Sequence, residues 1–208
     1  ISNITSGKYN VTVTDANFCS IVRSIKVYGE LVDGRDGKNY KTMQVGSQVW
    51  FAENLKSTVD RSGNTINYYC LDDSLTNCEA LGHYYIFEDA QNVCPQGWRM
   101  PTENDWQELE LYLGMPANEI ETYGNGRTIA APKLKVGGDS LLDIAFNGAI
   151  FAVNGNYIQV NEAAIFYSNT KVNSTDAHIR SLDYDSDGLY RSTLNSNQFA
   201  TCLRCVKE

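Results

Sequence analysis

Histidine is nearly absent from this chain, which has only His83 and His178. Tetrahedral zinc wants two close cysteine pairs or histidine partners, and neither histidine has a companion at ligand spacing. Nor does either ring sit in a motif suited to a Ser/His/Asp arrangement. Long apolar runs are also missing. The longest candidate, 145–153, is broken by Asn147 and Gly148 and falls well short of the ~20 residues that span a bilayer, so membrane insertion is not expected. Basic residues are outnumbered, 17 Lys+Arg against 25 Asp+Glu, for a formal charge of −8. Such a surface repels phosphate backbones, which argues against nucleic acid as a partner. No signal peptide precedes the strand-like opening at Ile1, and the chain reads as a piece of a longer exported protein.

Two residue types stand out against these gaps. Tyrosine occurs 13 times, and with Asn, Ser, Thr and Gly it gives the loops the composition of adaptable binding surfaces. Six cysteines stand at positions 19, 70, 78, 94, 202 and 205. Only Cys202 and Cys205 have metal-ligand spacing. A redox Cys-x-x-Cys works at a helix N-terminus, where the dipole lowers a thiol pKa, yet only three residues follow Cys205. Disulfides in an oxidising compartment are the expectation.

The 208 residues suggest one domain, or one domain plus an appendage. Residues 8–14 and 21–28 alternate around the turn Asp15-Ala16-Asn17, which predicts a hairpin over 1–28. The turn-rich stretch 29–37 marks a boundary, and 29–208 reads as the main domain. Short strands are expected at 40–45 and 48–51 around Gly46-Ser47, with a clipped loop over 70–78 and a strand at 83–86. Apolar residues at 86, 87, 90 and 93 predict a first helix ending at Cys94. A second opens after Pro101, with Thr102 as N-cap and Asp105 at the capping-box position. The stretch 114–140 has no convincing pattern. Strand-like runs follow at 149–153, 156–160, 163–168, 177–182, 188–191 and 198–206. Early helices and late strands predict an α+β fold. Trp50, Trp98 and Trp106 each lie within such a pattern or beside a cysteine and are expected to be core anchors.

Several stretches carry a resemblance. DGRDGKNYKTMQVGSQVWFAENLK (33–56), YCLDDSLTNCEALGHYYIFEDAQNVCPQGWRMPTENDWQEL (69–109), ATCLRCVKE (200–208) and, more loosely, AIFYSNTKVNSTDAHIRSL (164–182) resemble the Fibrobacter succinogenes major paralogous domain of exported bacterial proteins. The resemblance implies a C-type-lectin-like fold with two helices and many short antiparallel strands, related to that of formylglycine-generating enzymes. It also implies a long-range disulfide Cys94–Cys205 and a local one Cys70–Cys78. Cys202, standing where the family more often has a small polar residue, then needs a partner, and Cys19 is the one left. Phe166-Tyr167 stands where the family commonly has Tyr-Trp. The hairpin passage is similar to the last two strands of an immunoglobulin-like repeat of Bacteroidetes surface adhesins.

Candidate chemistry is sparse. Asp183, Asp185 and Asp187 before Gly188 begin like a calcium loop, but Arg191 and Leu194 stand where two further ligands belong. Calcium is therefore the only cofactor to consider, and an acidic hairpin turn explains the same letters. Glu103, Asp105, Glu108 and Glu110 crowd a helix start, where acids favour the dipole. The surface of the late strands, with Tyr167, Asn169, Asn173, Asp176, His178, Arg180, Tyr184, Tyr190 and Arg191, is the expected ligand face. The expected function is a non-enzymatic extracellular module of a surface or secreted adhesin, taking a glycan or protein ligand. The alternatives are a passive cap or spacer and, further off, an oxidase-like enzyme using Cys202 and Cys205.

Overall fold

The computed structural model describes residues 4–124, 127 and 130–208. Strands β1 (Gly7–Thr14) and β2 (Ser20–Val27) form the expected hairpin, with Tyr9 opposite Ile25 and Val13 opposite Ile21. Asp15 Oδ1 accepts from the backbone amides of Asn17 and Cys19, which sets the turn. No other strand among the described residues joins this ribbon. Val13, Ile21 and Phe18 at its tip therefore stay exposed. The ribbon is tied to the rest by polar contacts: Lys8–Asp139 at 2.9 Å, Lys26–Asp143 at 2.8 Å, and the Tyr28 hydroxyl donating to Asp143.

The boundary expected over 29–37 is half strand. β3 (Gly29–Val32) pairs with β4 (Asn39–Val45), and Leu31 stands opposite Tyr40. Buried Asp33 holds the following turn by accepting from the Arg35 backbone and guanidinium. β4 turns at Gly46 into β5 (Gln48–Phe51). The clipped loop over 70–78 runs into a helix, α1 (Leu75–Leu81), capped by the Ser74 side chain. Gly82 ends it at φ +91°, and a Cβ there would lie 2.4 Å from Asn54.

The first expected helix is a single turn. β6 (Tyr84–Ile86) commits Ile86 to a sheet partner, Ala200, leaving α2 only Phe87–Ala90. The Asn92 amide then turns back to the Asp89 carbonyl, and Pro95 disfavours helix in the residue before it. The inward spacing nonetheless holds, since Phe87, Ala90 and Val93 are buried. β7 (Trp98–Arg99) precedes α3 (Glu103–Tyr112), which has the expected capping box between Thr102 and Asp105. In the patternless stretch the structure has α4 (Ala130–Leu134), one turn with Ala130, Ala131 and Leu134 buried. So short a helix leaves no period to read.

The remaining strands are β8 (Ala149–Phe151), β9 (Asn156–Ile158), β10 (Ala163–Lys171), β11 (Asp176–Asp183), β12 (Leu189–Asn195), β13 (Phe199–Cys202) and β14 (Val206–Lys207). They build antiparallel sheets in the orders β3-β4-β5-β14-β7, β6-β13-β8-β9 and β10-β11-β12. The fold is α+β. β10 is buried on both faces: Ala164 and Phe166 join one core with Met43, Trp50, Trp106 and Leu109, while Ile165 and Tyr167 join a second with Phe51, Phe87 and Trp98. All three tryptophans are buried, as expected. No helix among the described residues is long and apolar enough to cross a membrane.

Cys94–Cys205 and Cys70–Cys78 are bonded, as the resemblance implies. The expected Cys19–Cys202 bridge is not formed. Cys19 lies exposed at the hairpin turn, whereas Cys202 is buried on β13, opposite Tyr84 of β6. Burial pushes the Cys202 thiol up to about 12, which makes it unreactive.

Native chain treated with a maleimide should label Cys19 alone, with Cys202 labelled only after denaturation. Replacing Cys94 and Cys205 together by Ser removes a link across 111 residues and should lower unfolding free energy by about 4–5 kcal/mol, read by chemical denaturation.

Candidate functional site

The β10–β12 sheet gathers most of the expected ligand residues but spends them on the fold. Tyr167 is buried, and its hydroxyl donates to the Asn195 and Phe199 carbonyls. Arg180 is fully buried, its Nε donating to Glu110 at 2.5 Å and its Nη1 to Glu103 at 2.8 Å. Neither can meet a ligand. Asn173 caps its own turn, accepting from Thr175 and Asp176 backbone amides and donating to the Asp176 carboxylate. Asn169 accepts from Gln91, and Tyr190 contacts Ser186 at 3.4 Å. Of the nine only Asn173 and Tyr184 stand exposed, Tyr184 at 60 %.

His178 and Arg191 lie at the outer end of a charge network that sequence reasoning missed. Glu103 receives Arg191 Nε at 2.8 Å as well as Arg180, and Glu110 also receives Arg127, all these groups being buried or nearly so. The Arg191 guanidinium lies 4.4 Å from the Tyr123 ring centre, and the Tyr123 hydroxyl shares a hydrogen bond with His178 Nδ1 at 3.2 Å. Burial raises the Glu103 carboxyl, but Arg180 and Arg191 outweigh it and hold it below the usual carboxylate range. A signal for this was present. Glu103, Trp106, Glu110 and Leu113 recur at 3-4-3 spacing, so the two acids lie on the apolar stripe of α3 and must be buried with it.

The other acids and histidine are similarly engaged. Asp105 receives the Arg99 guanidinium and the Thr102 amide and hydroxyl. The Ser47 hydroxyl donates to Glu108. His83 stacks on Tyr68 at 4.2 Å and faces the Ser57 carbonyl through Nδ1. The calcium reading fails on geometry. Asp183 is the last residue of β11 and accepts from Ser181, while Asp185 and Asp187 lie in the following turn. The three do not converge, and among the described residues no cluster of acids, cysteines or histidines could hold a metal ion. Cys205 is bonded to Cys94, so Cys202 and Cys205 do not form a dithiol pair.

A cleft of about 460 Å³ opens where the N-terminal hairpin meets the domain. Ser6 and Lys8 form one wall. Met43 and Gln44 of β4, Tyr112 and Leu113 at the end of α3, and Lys133 with Asp139 complete it. Gly46, at φ +62°, lets the Tyr112 ring lie against the β4–β5 turn, since a Cβ would come within 2.9 Å of it.

Removing one side of the buried network should be costly. Glu110→Ala leaves two buried guanidiniums short of a partner and should destabilise by about 3–5 kcal/mol, read by denaturant unfolding. A second prediction concerns acid. Burial, assisted by the Lys38 charge, pulls the His83 imidazole from 6.5 down to about 4. The unfolded chain therefore takes up that proton before the folded one. The contribution is complete above pH 6.5 and lost as pH falls towards 4, by about 3 kcal/mol. His83→Gln should flatten that slope in unfolding measured at stepped pH.

The sheet order, the two bridges and the cleft can be set beside known proteins. No curated protein and no solved structure gave a significant match. A family model does, over residues 43–207: that of the Fibrobacter succinogenes major domain. The match begins inside β4 and ends in β14, taking in both disulfides, α3 and every strand of the late sheets. The chain belongs to the Fibrobacter succinogenes major domain family.

Proposed function

We propose that this chain is a non-catalytic, extracellular binding module of a bacterial surface or secreted protein, built on a C-type-lectin-like scaffold, with a glycan or protein as its ligand. The observation that carries the reading is how the polar groups are divided. The buried carboxylates Asp33, Asp105, Glu103 and Glu110 are each paired with arginine, and buried His83 is held by stacking and a backbone carbonyl. Proton transfer needs a group free to meet a reacting atom, and these are already engaged with partners inside the fold. The hairpin cleft, by contrast, keeps polar side chains at an open mouth of ligand size.

The lectin-like scaffold is supported by the long bridge, which joins the segment after α2 to the chain just before β14. An extracellular setting is supported by the two disulfides, which persist in oxidising compartments. A passive spacer would share these features, but it has no use for the cleft.

Immobilised full-length chain probed with glycan and protein arrays should give specific, saturable binding with ligand recovered unchanged. Chelation with EDTA should leave the binding intact, because Asp183, Asp185 and Asp187 do not converge. Absence of any ligand would favour the spacer, and chemically altered ligand would restore an enzymatic reading.

A further inference from the structure

We infer that the cleft between the N-terminal hairpin and the domain is a site for a neutral oligosaccharide, with the hairpin supplying one wall. This rests on the binding-module reading and names the ligand class and the surface. The lining has two chemical layers. Met43 and Leu113 give a buried apolar floor, and Lys8, Gln44 and Asp139 form a polar rim. A pyranose has the complementary form: an apolar C–H face and an edge of hydroxyls that both donate and accept. Lysine ammoniums only donate and the Asp139 carboxylate only accepts, while the Gln44 amide does both. The rim therefore suits hydroxyls, which need both kinds of partner.

The cations of the lining are already engaged, which disfavours an acidic ligand. Lys8 is neutralised by Asp139 at 2.9 Å. Lys133 donates to the Leu113 carbonyl, at the negative end of the α3 dipole. Neither ammonium is left idle to recruit a carboxylate or sulfate. Tyr112 supplies the remaining element, an aromatic ring 63 % exposed at the cleft wall. Core packing does not require a ring in that position, and an exposed ring at a cavity wall is suited to stacking against a sugar face. A volume of about 460 Å³ holds a short stretch of chain rather than a single small ion.

Lys8 contributes from β1, so the site is complete only when the hairpin is seated. Exposed ion pairs of the kind that seat it are individually weak. Ligand in the cleft would therefore steady the hairpin against the domain, since anything that binds only the seated arrangement favours it.

The test is calorimetric titration of the full chain with neutral tri- to hexasaccharides and with uronic-acid oligosaccharides of matched length. Neutral oligosaccharides should bind, and Tyr112→Ala should weaken them by roughly tenfold. Lys8→Gln, a second variant at an exposed position, should also weaken binding, with thermal melting unchanged in both. Tyr184→Ala, on the outer turn of the late sheet, should bind as the parent does. Preference for the acidic set overturns the assigned ligand class. Binding insensitive to Tyr112→Ala and Lys8→Gln, or abolished by Tyr184→Ala, overturns the cleft as the site and leaves the module reading standing. Failure of every saccharide with a protein ligand captured on the arrays does the same. Failure of both saccharide and protein overturns the two readings together.

Discussion

β14 is pinned by the bond of the residue before it, Cys205, to Cys94, 111 residues earlier, and much of the architecture is arranged around that closure. β14 is only two residues long, yet it fills the gap between β5 and β7 in the five-stranded sheet. Two residues of ladder cannot by themselves hold a segment in place in water. The Cys94 bridge at residue 205 removes the choice, and the Cys205 carbonyl then accepts from the Phe51 amide while Val206 pairs with Trp50 and Arg99. The β6-β13-β8 sheet follows from the same anchoring, because β13 lies just upstream of the bonded cysteine.

The second constraint is electrostatic. Three arginines and two glutamates between α3 and the late sheet are buried or nearly so together. Taking such charges out of water costs several kcal/mol per ion. The arrangement persists because each carboxylate receives two guanidiniums, and Arg191 further stacks on Tyr123. Pairs of this kind add little net stability over an apolar core. Their effect is on register: a one-residue slip of β11 or of β12 would turn Arg180 or Arg191, which stand opposite one another, away from Glu103. The network thus holds the sheet on the helix, and in doing so uses up residues that a reading of surface chemistry assigns to ligand.

Much of the local structure was legible in the letters. The hairpin showed in its alternation and in the Asp15 turn, and α3 in Pro101, Thr102 and Asp105. The buried tryptophans showed in the patterns around them. The resemblance supplied the bridges Cys94–Cys205 and Cys70–Cys78, while pairing Cys202 with the one cysteine left over fails, because the neighbours of Cys202, Asn147 and Tyr84, come from distant segments. Elements of a single turn, such as α2 and α4, were misjudged or missed for want of periods to count. Tyr, Arg and His are polar at one end and so suggest an outward ligand face, but burial depends on what packs above a strand. For β10 and β11 both faces are covered.

The amino-acid order by itself determined the α+β class, the capping of α3, the hairpin and the family, because those depend on neighbours within a few residues or on recurring blocks of sequence. Only the tertiary structure decided that Arg180 and Tyr167 are interior, that Cys19 and Cys202 stay apart, and that a cleft opens beside Tyr112. Each of these depends on segments 60 or more residues apart being brought to within bonding distance or held from it, as Arg180 is to Glu110 and Lys8 to Asp139. Chain order alone carries no distance of that kind.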